Sequence, residues 1–433
     1  MKLTFIRPNM NESRSRDALE PLAFAVLKGL TPPTVSTVFF DDRLEALPDR
    51  LDTDLAVLSV ETFTARRAYG IADRLRRQGA RVLMGGIHPT LLPEEALAHC
   101  DSVLCGEAEP YWAQVLRDAA LGALKPRYGS AAPPAMGGVP YDRSLFAGKH
   151  YAPLRPVQFG RGCPHGCEFC AIGPFYGPVP RRRPVAEVIA ELEALGPGHY
   201  FMVDDNFLTD REALLELCQA MIPLGIRWSG QISLEAAHDR ELLGLLKASG
   251  CTALIIGFES LEAGNLQQMG KTVNLRWADY EQAVRNLYGA GIMIYGTFVI
   301  GYDHDTPETL ERLYRFARGN RFMIANFNPL IPMPGTRLYE RLQGERRLLR
   351  DRWWLDPAFR YGQTVYRPRG MSPEALERAC LQLRRRFYSL PAILARLPEP
   401  RSNSRTLGNA ALFCGVNLIS RHEIRCKQGK SLG

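Results

Sequence analysis

Along the first 135 residues, short apolar runs alternate with stretches of helical periodicity. Strands are expected at 3–6, 35–40, 55–60, 81–84 and 102–105, with helices at 22–30 and 65–78. The run Leu55-Ala56-Val57-Leu58-Ser59-Val60 is apolar with hardly a break, as in a strand buried on both faces. Strand–helix alternation of this kind predicts an open parallel sheet, whose ligands lie beyond the carboxyl ends of the strands. Three of the expected ends carry small or polar residues: Ser59, Glu61 and Thr62; Gly85, Gly86 and His88; Gly106 and Glu107. Gly85 and Gly86 would let the backbone approach a flat ligand. His88 alone says little, because a single histidine near a turn is more often a hydrogen-bonding partner than a ligand.

A Gly/Pro-rich, aperiodic stretch at 129–140 reads as a linker. Beyond it the strand–helix unit repeats six times. Strands are expected at 155–160, 200–203, 227–232, 253–256, 293–300 and 324–327, with helices at 184–195, 210–222, 239–249, 275–289 and 307–318. Six units make a partial, not a closed, barrel. Chemistry in such barrels collects at the carboxyl ends of the strands. Those ends hold Asp204-Asp205-Asn206, Gln231 and Ser233, Gly257-Phe258-Glu259, and Gly301-Tyr302-Asp303. Two more helices are expected at 372–390 and 407–419, the second too short to span a bilayer. The organisation so read is α/β: a Rossmann-like unit at 1–135, a linker at 136–154, a barrel at 155–335 and a mostly helical segment at 336–433.

Composition adds two points. The chain has 433 residues, 46% hydrophobic and 23% charged, which suits folded domains with sizeable cores. Its formal charge of +8 is unevenly spread. Residues 337–433 hold 20 Lys and Arg against 8 Asp and Glu, so the rest of the chain nets −4. That basic excess could meet an anionic substrate group, an acidic electron donor of flavodoxin or ferredoxin type, or an anionic membrane surface; a solvated helix face is the plain alternative. Nucleic acid is disfavoured, since no RNA-binding module follows the barrel. The start, Met1-Lys2-Leu3-Thr4-Phe5-Ile6, reads as a strand and not as a secretion signal, and the ten cysteines suit a reducing compartment. The expected location is cytoplasmic, with peripheral contact at the inner membrane left open.

The densest chemistry lies at Gly162-Cys163-Pro164-His165-Gly166-Cys167-Glu168-Phe169-Cys170. Three thiols at CxxxCxxC spacing follow a strand and sit among glycines, which allow the loop to curl and the sulfurs to converge. A structural zinc site wants four protein ligands, and no fourth follows at matching spacing. Three thiolates can instead hold an iron–sulfur cluster with one iron left for a small molecule. A zinc knuckle, or three unrelated thiols, is the alternative.

This loop, with aromatic Phe169 before its last thiol, resembles the cluster loop of radical S-adenosylmethionine (SAM) enzymes. The resemblance implies a 4Fe–4S cluster on Cys163, Cys167 and Cys170, with SAM chelated at the open iron and cleaved to a 5′-deoxyadenosyl radical. It makes Asp204, Asp205, Gln231, Ser233 and Glu259 candidates for the ammonium, carboxylate and ribose of SAM, with Phe169 near the adenine. The first sheet is similar to the cobalamin-binding domain that precedes many radical SAM cores, so Ser59, Glu61, Thr62, Gly85, Gly86, His88, Gly106 and Glu107 become candidate cobalamin contacts. The DxHxxG signature of an axial histidine is absent. Phe40-Asp41-Asp42-Arg43, Val60-Glu61-Thr62-Phe63-Thr64-Ala65-Arg66-Arg67, Val203-Asp204-Asp205-Asn206 and Gly301-Tyr302-Asp303-His304-Asp305-Thr306 resemble the subgroup of hopanoid C-2 methylase and bacteriochlorophyll peripheral methylases.

The resemblance implies methylation of an unactivated carbon on a hydrophobic polycyclic substrate, hopanoid- or tetrapyrrole-like. Two alternatives stand beside it. One is a radical SAM rearrangement, cyclisation or oxidation without methyl transfer. The other is a non-catalytic iron–sulfur or zinc protein. The residues leave the substrate and the oligomeric state open.

Overall fold

The computed structural model describes residues 1–15, 17–129 and 133–433. Residues 130–132, inside the expected linker, lie outside that set. Two six-stranded parallel sheets organise the chain.

The first contains β1 (Lys2–Arg7), β2 (Ser36–Asp41), β3 (Leu55–Ser59), β4 (Arg81–Gly85), β5 (Ser102–Leu104) and β6 (Arg127–Tyr128), in the order β2-β1-β3-β4-β5-β6. Strand order turns round between β1 and β3, where the crossovers leave a crevice at the carboxyl edge. The last strand was expected at 102–105; the two-residue β6 follows it, too short to show as a periodic run. Helices Leu22–Gly29 and Trp112–Ala120 share one core with this sheet and helix Ala65–Arg77 another. β3 is buried from Leu55 to Leu58, as its unbroken apolar run requires.

The second sheet contains β7 (Arg155–Val157), β10 (His199–Met202), β11 (Arg227–Ile232), β12 (Cys251–Glu259), β13 (Met293–Ile300) and β14 (Ile324–Pro329), in that spatial order. Between β7 and β10, the short antiparallel pair β8 (Gly160–Arg161) and β9 (Arg181–Arg182) frames the cysteine loop. Helices pack outside, most of them started by a side-chain cap: Asp210, Asp239, Asp279 and Thr306 each accept an amide hydrogen of the first turn. The concave face encloses a cavity instead of a core. The helix expected at 275–289 is Tyr280–Gly289, preceded by two short helices, Ala263–Met269 and Thr272–Arg276. Gly270, at φ 72°, separates those two and breaks the period.

The last hundred residues tie the sheets together. Trp353, Trp354 and Phe359 are buried in the core of the first sheet. Helix Pro373–Phe387 packs on β14. The helix expected at 407–419 runs on to Lys427 and covers the concave face of the second sheet. No helix among the described residues is long and apolar enough to cross a membrane.

Candidate functional site

The cysteine loop leaves β8 at Gly162, whose φ of 86° suits glycine alone and turns the chain outward. Its root is held by two aspartates at the end of β10. Asp204 accepts the amides of Phe159 at 2.9 Å and Gly160 at 2.5 Å; Asp205 accepts that of Gly162 at 2.8 Å. The far side is pinned from the C-terminal direction. Arg341 pairs through two nitrogens with Glu168, at 2.7 and 3.1 Å, and Arg337 donates to the Gly166 carbonyl. The Glu168 amide bonds the Met269 carbonyl at 3.0 Å. Cys163, Cys167 and Cys170 are half-buried on the framed loop. Burial pushes all three thiols up, Cys170 to about 11, while the Lys271 ammonium offsets part of that effect. Among the described residues no three His, Cys, Asp or Glu side chains close round a single metal ion.

Lys271 is the residue that sequence reasoning missed. It is 3.0 Å from Glu259, and both are largely buried. Glu259 has a φ of 62°, a left-handed conformation costing on the order of 1–3 kcal/mol in a non-glycine residue. The strain comes with a register shift between β12 and β13 at Gly257. The Glu259 carboxylate folds back across Gly257: a Cβ there would stand 2.2 Å from it and displace it. Asn274 fixes the bulge by donating to the Gly257 and Phe258 carbonyls at 2.8 and 2.9 Å. Glu259 is thereby aimed at Lys271 and, through it, at the thiols. Nothing in the spacing of the sequence linked Lys271 to a loop a hundred residues earlier.

The other expected SAM contacts fall in two groups. Asp205 and Gln231 stand together, the Gln231 side chain donating to the Asp205 carbonyl at 2.9 Å. Phe169 faces the cavity described below. Asp204 is fully enclosed and acts as the root clamp, with burial pushing its carboxyl up to about 8. Ser233 is buried, its amide bonded to Asn206 and its hydroxyl to Glu235, both at 3.0 Å.

The residues expected to touch cobalamin divide more sharply. Ser59, Gly85, Gly86, Gly106 and Glu107 line one recess of about 130 Å³ at the ends of β3, β4 and β5. Gly86, at φ 99°, leaves no room for a side chain, since a Cβ would meet the Val60 carbonyl at 2.9 Å. Glu61 lines a different and larger space. Two of the expected contacts, His88 and Thr62, lie apart from these spaces. His88 is fully buried and its nitrogens face Thr62 at 3.3 Å, Tyr69 at 3.1 Å and Glu95 at 3.1 Å. It lines none of the three cavities, and buried Thr62 is its partner; both belong to a polar network that reaches Trp354 through Glu95 at 2.9 Å. Glu107 turns to Arg161 and Arg181 and so couples the first sheet to the frame of the cysteine loop.

The carboxyl edges of both sheets open on one cavity of about 620 Å³. Arg7, Arg43, Glu61 and Thr64 come from the first sheet; Phe169 and Phe298 come from the second unit.

Comparison with known proteins agrees with this architecture. Residues 157–317 match the model of the radical SAM superfamily. The chain is 33% identical to bacteriochlorophyllide d C-12(1)-methyltransferase of Chlorobaculum tepidum over 87% of this chain and 84% of that protein. It is 32% identical to hopanoid C-2 methylase of Rhodopseudomonas palustris over 46% of this chain and 39% of the other. Among solved structures, the radical SAM methyltransferase TsrM from Kitasatospora setae, with cobalamin and a [4Fe-4S] cluster bound, superposes with a TM-score of 0.67. Its identity is 17%, and 98% of each chain is covered, so the likeness is one of fold. The chain belongs to the radical SAM superfamily, as a homologue of its bacteriochlorophyllide methyltransferases and hopanoid methylases. It is an enzyme of that superfamily.

Proposed function

We propose that this enzyme transfers a methyl group to an unactivated carbon of an apolar, polycyclic substrate, using a 4Fe–4S cluster, SAM and cobalamin. The observation that carries the reading is the shared cavity: Phe169 of the cysteine loop stands on one side, the carboxyl edge of a parallel sheet on the other. Bound there, the cluster and SAM supply a radical that removes a substrate hydrogen, and cobalamin supplies the methyl group.

The residues present fit those groups. Cys163, Cys167 and Cys170 are the donors for iron, and Lys271 sets a positive charge beside them that favours thiolate ligands. Asp205, Gln231 and Glu259 offer the polar contacts SAM needs. The glycine-lined recess at Gly85, Gly86 and Gly106 accepts a flat group against bare backbone, and Glu61 and Arg7 border the larger space next to it. Arg341, Arg337, Asp204 and Asp205 hold the loop from both sides, which supports a loop stiff enough to carry the cluster.

The electron donor we infer is of flavodoxin or ferredoxin type. Peripheral membrane contact is supported by Leu390, Leu394 and Leu407, exposed on the basic C-terminal segment. Anaerobic reconstitution tests the main reading. Iron, sulfide, cobalamin, SAM and a one-electron reductant should yield 5′-deoxyadenosine, S-adenosylhomocysteine and a product heavier by one methyl group. 5′-Deoxyadenosine with one SAM consumed and no methyl gain would replace methylation by a non-methylating radical reaction. Zinc binding without nucleoside formation would overturn both.

A further inference from the structure

A second cavity of about 640 Å³ lies within the concave face of the second sheet, and it has no place in the cofactor arrangement above. Its walls are apolar: Phe201, Ile255 and Ile324 from the strands, Leu412, Val416 and Ile419 from helix Leu407–Lys427. It meets the first cavity at a neck formed by Asp17, Tyr361, Arg384, Glu423 and Lys427, which line both spaces.

The charges of this neck do not pair off evenly. Both of its carboxylates go to one ammonium: Lys427 is 3.2 Å from Asp17 and 2.9 Å from Glu423. Arg384 is only 5% exposed and has no carboxylate within 4.0 Å among the described residues. It donates to the Gln428 side chain at 2.7 Å and weakly to the Cys380 carbonyl at 3.4 Å, and its Nη1 has no hydrogen-bond partner there. Two other arginines among the described residues are as buried, and both differ: Arg183 has Glu191 at 2.5 Å, and Arg396 is satisfied by neutral acceptors. Its nitrogens reach the carbonyls of Phe322, Met323 and Phe387 and the Asn417 side chain, and Phe387 stacks on it. Neighbouring Arg386 has Glu311 at 2.7 Å. A buried guanidinium that faces a cavity without a counter-charge is costly unless a ligand brings one.

We propose that Arg384 receives a carboxylate of the substrate, while the substrate's apolar polycyclic body fills the inner cavity. This rests on the reading that the shared cavity is the site of reaction, and it narrows the substrate to an amphiphilic acid. A neutral hydrocarbon would leave the guanidinium uncompensated. A tetrapyrrole acid satisfies both halves of the space.

The test uses the full chain under anaerobic conditions with two probes: pheophorbide a, a chlorin with one free carboxylate, and its methyl ester. Fluorescence titration should show the acid bound more tightly than the ester by about tenfold or more, the range of one charge-assisted pair. Arg384→Gln should remove that preference by weakening the acid alone, and Arg384→Lys should keep part of it. No binding of the acid, equal binding of acid and ester, or a preference that survives in R384Q would overturn the proposal. So would a raised SAM requirement in R384Q with the acid preference intact, which would give the guanidinium to the SAM carboxylate. If R384Q does not fold cooperatively, the wild-type preference and R384K decide. Nucleoside formation by the reconstituted wild-type enzyme is read in parallel. Its presence without acid preference sinks this proposal alone, and its absence sinks the reading beneath it.

Discussion

The carboxyl edges of the two parallel sheets share an architecture and differ in chemistry. At the first, charged side chains are matched internally. Arg7 pairs with Glu61, Arg43 with Asp41, and Arg67 with Asp42, while both aspartates are fully buried. What this edge presents is a recess bearing Gly85, Gly86 and Gly106, and beside the larger cavity the ion-paired Arg7, Arg43 and Glu61. At the second stand three half-buried free thiols, and a strained Glu259 paired with the Lys271 ammonium. On the proposed function, the first edge would receive a flat group by contact and the second would hold an inorganic one by coordination.

The strongest way to break this comparison is to remove a thiol. Cys167→Ala should abolish iron loading and 5′-deoxyadenosine formation, while corrinoid content after reconstitution stays unchanged; iron and cobalt analysis of one sample reads both. Loss of both metals together would mean that the two edges are not independent.

Next comes the buried ion pair. Lys271→Met leaves Glu259 enclosed and unpaired and should lower stability by about 3 kcal/mol, measured by urea unfolding. The double substitution with Glu259→Gln should recover much of that loss. If K271M unfolds like the wild type, the pair contributes nothing and its role by the cluster is in doubt.

A contrast within the first sheet follows. Gly86→Val should reduce corrinoid binding and cost stability, since the side chain would collide with the Val60 carbonyl. His88→Gln should cost about 1–2 kcal/mol through its lost hydrogen bonds and leave corrinoid content intact. Corrinoid loss in H88Q alone would restore the histidine as a contact.

The smallest effect is the titration of Asp204. Its carboxyl is raised to about 8 in the fold from an ordinary value of 3.8, chiefly by burial. The folded state thus holds one more proton than the unfolded chain between those two values, and through this group stability falls as pH rises from about 4 to about 8, then levels off. Asp204→Asn should flatten that part of the profile, read from melting temperatures at pH 5 and pH 8.5. An unchanged slope would show that the carboxyl is ionised throughout.

The sequence by itself determined the two parallel sheets, because period-two and period-3.6 patterns report burial that each segment needs whatever its neighbours do. It brought the cysteine trio into view for a similar reason: the three thiols lie within eight residues, and local spacing marks them as one group. Only the tertiary structure decided the rest. His88 and Thr62 look like candidates at a strand end; folded, both are interior, Thr62 facing His88 and His88 facing Tyr69 and Glu95, which approach from other helices. Of the consecutive Arg384, Arg385 and Arg386, Arg384 is enclosed at the neck of a cavity, Arg385 is exposed and Arg386 is matched to Glu311. Lys271 meets Glu259 and the thiols through a bulge that depends on Gly257 and Asn274 together. Local pattern reports how much of a segment must be buried. Which charge finds a partner depends on contacts between distant segments, and only the packed chain brings those together.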